Sequence, residues 1–158
     1  MACCNRRCRR ISTTVRNYNQ NNFIPSSVEV SNLLTQTVEP NGQVIFDQTN
    51  YNTGVSFSPR LDNLGVDIIS AGVYQITFTG NITTAQNGNI SLAISENGTA
   101  IPQSEITQYV TTDGPQNVVT TIVYKVTSPN AEIGIINTGG TNFDATNAKL
   151  DIVRNGNF

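Results

Sequence analysis

The stretch VYQITFTGNI, residues 73–82, decides the fold of this chain. From residue 74 onward, apolar residues or glycine alternate with polar residues. A period of two is typical of a β-strand that has one buried face and one wet face. We predict that five residues of this strand face the core: Tyr74, Ile76, Phe78, Gly80 and Ile82.

The same alternation, rich in β-branched residues, continues on both sides of this strand from about residue 27. Turn dipeptides such as Asn87-Gly88 and Asn97-Gly98 separate the apolar runs. A series of eight or more short strands without helical periodicity indicates one all-β domain, a sandwich or a barrel. The further predicted strands lie at residues 28–30, 44–46, 55–57, 66–69, 90–94, 106–110, 118–126, 131–136 and 148–153.

The three cysteines, Cys3, Cys4 and Cys8, all lie within the first eight residues. A disulfide stabilises a fold by closing a loop between distant parts of the chain, which this cluster cannot do. Neighbouring cysteines bridge each other only with strain, and an odd number cannot all pair internally. We therefore expect intermolecular disulfides. Zinc usually takes four ligands and the chain has no histidine, so no metal and no cofactor is predicted.

Residues 1–16 form a cationic segment on an acidic body. They carry five arginines and no acidic residue, a charge of +5, whereas the remaining four basic and eleven acidic residues give −7, for the net −2. Five charges without interleaved aromatic residues are few for nucleic-acid binding, and no apolar run suggests a membrane anchor. The expected partner is thus a second copy of the chain.

We divide the chain into an extended N-terminal arm, residues 1–26, and a β-sandwich domain, residues 27–158. About 20 extended residues span roughly 60 to 70 Å, enough to reach across a neighbouring domain. The residues expected to dock the arm on that neighbour are Arg6, Arg7, Arg9, Arg10, Ile11, Val15, Arg16, Tyr18, Phe23 and Ile24.

Catalytic chemistry has little support in this sequence. Without histidine, and without cysteine beyond residue 8, Ser/His and Cys/His nucleophile pairs are excluded. The remaining candidates are two carboxylate pairs, Asp144 with Asp151 and Glu96 with Glu105, and calcium loops around Asp113 or Asp144. Calcium needs several oxygen atoms at one point, and neither loop is dense in carboxylates. We predict that the protein is not an enzyme.

Four segments resemble, in the same order, strands of C1q/TNF-like jelly rolls. They are ISAGVYQITF at 69–78, SLAISENG at 91–98, AEIGIIN at 131–137 and AKLDIV at 148–153. The resemblance implies an all-β, antiparallel jelly-roll sandwich, here with an extended N-terminal arm.

Within that superfamily, the Thr- and Asn-rich, tryptophan-free composition and the adjacent cysteines are similar to the bacterial spore-surface branch, which includes endospore-appendage and exosporium subunits. This resemblance implies a self-assembling structural subunit of an extracellular fibre, whose arm docks into neighbours and cross-links them through disulfides. Other spore-surface proteins are the further partners it implies. The collagen-like repeat of exosporium filament glycoproteins is missing, and the body has no cysteine, so cross-links would run from arm to arm.

The expected location is the spore surface, outside the cell. No apolar stretch typical of a signal peptide follows the N-terminus, so release by lysis of the producing cell is the expected route. Two other functions stay open at this point. One is a small jelly-roll viral capsid protein whose basic arm binds the genome, and the other is a trimeric C1q/TNF-like binding module.

Overall fold

The computed structural model describes residues 23–158, and within that range the chain is almost entirely β-structure. A three-residue 3-10 turn, Pro102–Ser104, is the single helical element there, and no helix of the described residues is long and apolar enough to cross a membrane. The strands are β1 Ser27–Asn32, β2 Gln36–Val38, β3 Gln48–Thr53, β4 Phe57–Pro59, β5 Val66–Ile68, β6 Gly72–Thr83, β7 Gly88–Glu96, β8 Thr99–Ala100, β9 Ile106–Val110, β10 Gln116–Val126, β11 Ala131–Asn137 and β12 Phe143–Gly156.

Two antiparallel sheets form the sandwich. Sheet A has the order β10-β6-β12-β1-β3, with β2 pairing the start of β12. Sheet B has the order β4-β5-β11-β7-β8, with β9 pairing the other half of β7. Strand β6 lies at the centre of sheet A, because it pairs with β10 on one side and β12 on the other along nearly its whole length.

The inward face predicted for β6 is confirmed. Tyr74, Ile76, Phe78 and Ile82 are fully buried, and the residues between them lie on the outer face. Gly80 leaves room for a neighbour on its own strand, since a Cβ atom there would lie 2.9 Å from the ring of Phe78. The side chains of both sheets meet in one continuous apolar core.

The turn at Asn97-Gly98 is also confirmed. Both residues have positive φ, 52° and 76°, as a two-residue hairpin turn of the primed type requires, and they join β7 to β8. Asparagine and glycine are the residues that tolerate this backbone region most easily.

The strand predicted at residues 44–46 is wrong, although its apolar side chains are buried. Val44 and Phe46 lie in the core, but their N–H groups donate to the C=O groups of Ile135 and Asn63 without forming a ladder. The paired strand is β3, whose six polar residues are all exposed. The strand predicted at 55–57 begins only at Phe57, because Val55 is exposed.

Substitution on the two faces of β6 should have opposite consequences. Phe78→Asp places an unpaired charge in the core and should cost about 4 kcal/mol or more, enough to prevent stable folding. Thr79→Asp, the matched control, changes the next residue on the outer face, where the partner in β12 is Lys149, and should cost less than about 1 kcal/mol. Urea denaturation followed by circular dichroism measures both, and equal stability of the two variants would contradict the assignment of faces.

Candidate assembly site

The predicted arm joins the domain beside the end of β12. Ser26 is buried, and its C=O accepts a hydrogen bond of 2.9 Å from the N–H of Arg154. Phe23 and Ile24, two of the predicted docking residues, precede it and are 39% and 46% exposed. The other eight docking candidates and all three cysteines lie outside the described residues, so their roles stay predictions.

Arg154 fixes this junction through its guanidinium group. One terminal nitrogen donates to Ser56 Oγ at 3.2 Å, and the other donates to the C=O of Ala71 at 3.1 Å and to Asn157 Oδ1 at 2.8 Å. The ring of Phe23 has its centroid 6.0 Å from Arg154 Cζ, within cation–π range. The direction in which the chain enters β1 is therefore set by contacts with both sheets.

The two edge strands of sheet A carry few of the charged residues that usually protect an edge. Strand β3 has none, and β10 has only Lys125, while Val119 and Val123 on its outer face are 51% and 66% exposed. In sheet B, β4 ends in Pro59 and β8 is two residues long, whereas β9, which pairs only with β7, is a five-residue edge without charge or proline. Charge, proline and shortness are common means of preventing strands from pairing between molecules. Sheet A is thus open to pairing at both edges.

The outer face of sheet A carries a polar cluster close to β3. The hydroxyl of Tyr51 donates to Asp151 Oδ1 at 2.9 Å, and Lys149 Nζ lies 3.9 Å from Glu29 Oε1. Partial burial, the hydrogen bond to Asp151 and the negative charges of Asp151 and Glu29 raise the pKa of Tyr51 to about 12. This phenol remains a neutral donor throughout the physiological pH range.

An ion cluster that the sequence did not predict lies on sheet B. Arg60 forms ion pairs with three carboxylates, at 2.5 Å to Asp62, 3.2 Å to Asp67 and 2.6 Å to Glu132. These residues line an open depression of about 350 Å³ together with Leu61. The hydrogen bond from Arg60 lowers the pKa of Asp62 to about 2, and the carboxylates raise the pKa of Arg60. One guanidinium group faces three carboxylates, so the cluster keeps a net negative charge, and its ion pairs tie the loop between β4 and β5 to β11.

The first predicted carboxylate pair is not assembled. Strand β12 carries both residues, with Asp144 opposite Thr83 and Asp151 opposite Thr77 in the register with β6. Six residues of strand separate these positions by roughly 20 Å. General acid–base catalysis by two carboxylates requires them to flank one reacting bond, and these two cannot.

In the second predicted pair, each carboxylate has a hydrogen-bond partner of its own. Glu96 accepts a hydrogen bond from the hydroxyl of Tyr124, and Glu105 accepts one from the hydroxyl of Thr138. Within residues 23–158, no three His, Cys, Asp or Glu side chains converge as a metal site requires, and this range includes both calcium-candidate loops.

Known proteins share this fold at low sequence identity. Murine APRIL in its pH 5.0 crystal structure has a TM-score of 0.63 and 11% identity, with 83% of this chain and 99% of that chain covered. Eiger TNF from S. frugiperda has a TM-score of 0.56 and 11% identity, with 86% of this chain and 94% of that chain covered. The globular domain of zebrafish complement 1qA has a TM-score of 0.51 and 12% identity, with 81% of this chain and 94% of that chain covered. No protein-family model and no curated protein matches the sequence.

Identities near 10% establish the fold alone. The domain is an antiparallel, C1q/TNF-like jelly-roll sandwich, as the sequence predicted.

The ion cluster predicts a pH-dependent contribution to stability. The pKa of Asp62 is depressed in the folded state, so its contribution is present above its ordinary value of 3.8 and is lost as the pH falls through about 2. Asp62→Asn should lower the free energy of unfolding at pH 6 by about 1 kcal/mol or less, since the pair is solvent-accessible, and should have a much smaller effect near pH 2. Asp113→Asn, at an exposed loop, is the control at pH 6. Equal destabilisation by Asp62→Asn at both pH values would contradict the electrostatic origin.

Proposed function

We propose that this chain is a structural subunit that assembles with copies of itself into an extracellular fibre of the bacterial spore-surface type. In this proposal residues 27–158 form the domain that packs along the fibre, and residues 1–26 form an arm that docks on a neighbouring copy. The observation that carries the proposal is the pair of long, weakly charged edges of sheet A, at β3 and β10.

Two different edges favour an open polymer. Strands β3 and β10 lie at opposite ends of sheet A, so pairing β10 of one copy with β3 of the next leaves a free β3 and a free β10 at the ends of the pair. A contact between two different surfaces repeats indefinitely unless the rotation between copies closes a ring. Successive sheets A would then join into one longer sheet.

The composition of the two strands suits this contact. Pairing gives partners to a row of backbone N–H and C=O groups that are otherwise left to water at each edge. Val119 and Val123 add exposed apolar surface on β10, and the aromatic ring of Tyr51 lies on β3. Lys125, next to the last residue of β10, is the one charge on the two strands, so little charge has to be desolvated.

The junction near Arg154 supports a role for the arm. Phe23 and Ile24 are exposed where the chain enters the domain, so apolar side chains of the arm start on the surface. In this arrangement, the five arginines of residues 1–16 lie close to the rest of a neighbouring copy, which has a charge of −7. Attraction between opposite charges of this kind accelerates encounter and favours correct pairing.

The cysteines add a covalent step to this assembly. Cys3, Cys4 and Cys8 would join the arms of adjacent copies once the fibre lies in an oxidising environment outside the cell. Non-covalent contacts would direct assembly, and the disulfides would make it durable.

Introducing one charge at the edge should block growth of the fibre. Val123→Lys places a lysine on β10, and its matched control, Gln75→Lys, places one on the directly opposite residue of β6, on the same face but inside the sheet. Edge pairing predicts that Val123→Lys abolishes or strongly shortens fibres, whereas Gln75→Lys leaves their length unchanged. Negative-stain microscopy of the purified full-length variants measures the lengths.

Other outcomes of this experiment identify other assemblies. Loss of fibres in both variants would contradict edge pairing and indicate packing through the outer face of sheet A. A wild-type protein that remains a discrete trimer would contradict the fibre proposal and favour a binding module. Copurification of nucleic acid with the wild type would instead favour a capsid protein.

Replacing all three cysteines should separate assembly from durability. Cys3→Ser, Cys4→Ser and Cys8→Ser together should still permit fibres, because three cysteines within eight residues cannot close a loop that stabilises the domain. Fibres of this variant should dissociate in hot detergent, whereas oxidised wild-type fibres should resist until a reductant is added. Gels run with and without reductant make the comparison, and an oxidised wild type that runs entirely as monomer would contradict cross-linking between subunits.

A further inference from the structure

Three side chains with complementary chemistry meet on the outer face of sheet A. Lys149 on β12, Glu29 on β1 and Asn50 on β3 come from three adjacent strands. Asn50 Nδ2 donates to Glu29 Oε1 at 2.5 Å, and Lys149 Nζ lies 3.9 Å from the same oxygen atom. One carboxylate thus lies between a primary amine and a carboxamide.

A β-bulge places the carboxamide there. In the register of β3 with β1, Glu29 is opposite Tyr51 and Val30 is opposite Thr49, so Asn50 is the extra residue of the bulge. Bulges change the direction of a side chain at a defined position. In this case the amide group is brought beside Glu29.

A fourth residue polarises the amide. Ser31 Oγ donates to Asn50 Oδ1 at 3.2 Å, and Ser31 is fully buried. A donor at the carbonyl oxygen stabilises the negative charge that develops there when a nucleophile adds to the carbonyl carbon. The cluster therefore contains a nucleophile, a proton-transfer group, an electrophile and an oxyanion donor, which are the parts needed for acyl transfer.

We propose that Lys149 and Asn50 form an intramolecular isopeptide bond, with Glu29 as the catalytic residue. The unprotonated Lys149 Nζ attacks Asn50 Cγ and gives a tetrahedral intermediate, whose oxygen receives the hydrogen bond of Ser31. Glu29 accepts a proton from Nζ and delivers it to Nδ2. The Cγ–Nδ2 bond breaks, ammonia leaves, and a secondary amide remains between Nζ and Cγ. No oxidant, reductant or further reactant is consumed.

The distance between the strands permits this bond. Strands β12 and β3 lie on either side of β1 at about 4.8 Å per step, roughly 10 Å in total, which a lysine and an asparagine side chain span together. The Lys149 side chain is 47% exposed, so it can turn toward Asn50 without displacing the core.

The remaining neighbours determine how the reaction should depend on pH. Asp151 on β12 lies opposite Glu29, Tyr51 on β3 donates its hydroxyl to Asp151, and β6 presents uncharged Thr79 opposite Lys149. No second cation from these strands approaches the amine. Only an unprotonated amine is a nucleophile, so conversion should be faster at pH 9 than at pH 7.

The bond would have a structural consequence that does not depend on fibre formation. It would tie edge strand β3 to β12 across β1 and close a loop of about 100 residues. The open edge at β3 could then bear load without peeling from the sheet.

Intact mass spectrometry of the reduced, full-length protein tests the proposal. Wild type should lose the mass of one ammonia relative to its sequence, progressively and faster at pH 9, and its digest should contain one branched peptide joining residues 50 and 149. Lys149→Arg, Glu29→Gln and Asn50→Ala should keep the full mass. Lys125→Arg, which removes the other lysine, on β10, is the matched control and should react like wild type. Ser31→Ala should slow the reaction at least tenfold.

Two results would overturn the isopeptide bond. One is a wild-type protein that keeps its full mass after prolonged incubation at pH 9. The other is an ammonia loss that persists in Lys149→Arg, because a cyclic imide at an asparagine loses the same mass without any lysine. If a variant fails to fold, the wild-type mass and its peptide map still decide between these outcomes.

Discussion

The sandwich depends on the pairing of β6 with β10 and β12, which sets the register at the centre of sheet A. Tyr74, Ile76, Phe78 and Ile82 fix one face of β6 in the core, and the period of two then forces the residues between them outward. A slip of one residue would exchange the two faces. Because β12 and β10 are held in register by this strand, the composition of the outer face and the location of the open edges both follow from it.

The outer surface that results is polar but contains few charges. Residues 23–158 carry four basic and eleven acidic residues, and several of these are paired with one another around Arg60 or beside Glu29. Hydroxyl and amide groups therefore cover much of the surface of sheet A. Such a surface remains hydrated, yet it costs less to desolvate than a charged one when another copy approaches. This property is consistent with assembly through sheet edges.

The sequence predicted the strands whose one face is buried and whose other face is wet. For β6, β10, β11 and β12, alternation was sufficient, and Asn97-Gly98 identified its turn. Alternation did not reveal β3, because all six of its residues are exposed and none marks a buried face. At Val44 and Phe46 the same rule predicted a strand that does not form. Both side chains are buried, but the backbone there makes no ladder of strand hydrogen bonds.

Side-chain clusters were beyond prediction for a different reason. Glu29, Asn50 and Lys149 are far apart in sequence and meet only through the register of three strands and one bulge. The Arg60 cluster likewise joins a loop to β11. The open edges likewise could be recognised only once the strand order was known. The roles assigned to the cysteines and arginines of the arm stay predictions.

Hydrogen exchange of the amides in fibres, compared with dissociated subunits, tests edge-to-edge assembly most directly. Pairing of β10 with β3 predicts that amides within Gln116–Val126 and Gln48–Thr53 that exchange rapidly in the subunit become protected in the fibre, whereas those of β4, β8 and β9, at the edges of sheet B, do not change. Unchanged exchange in both β3 and β10 on assembly would contradict it.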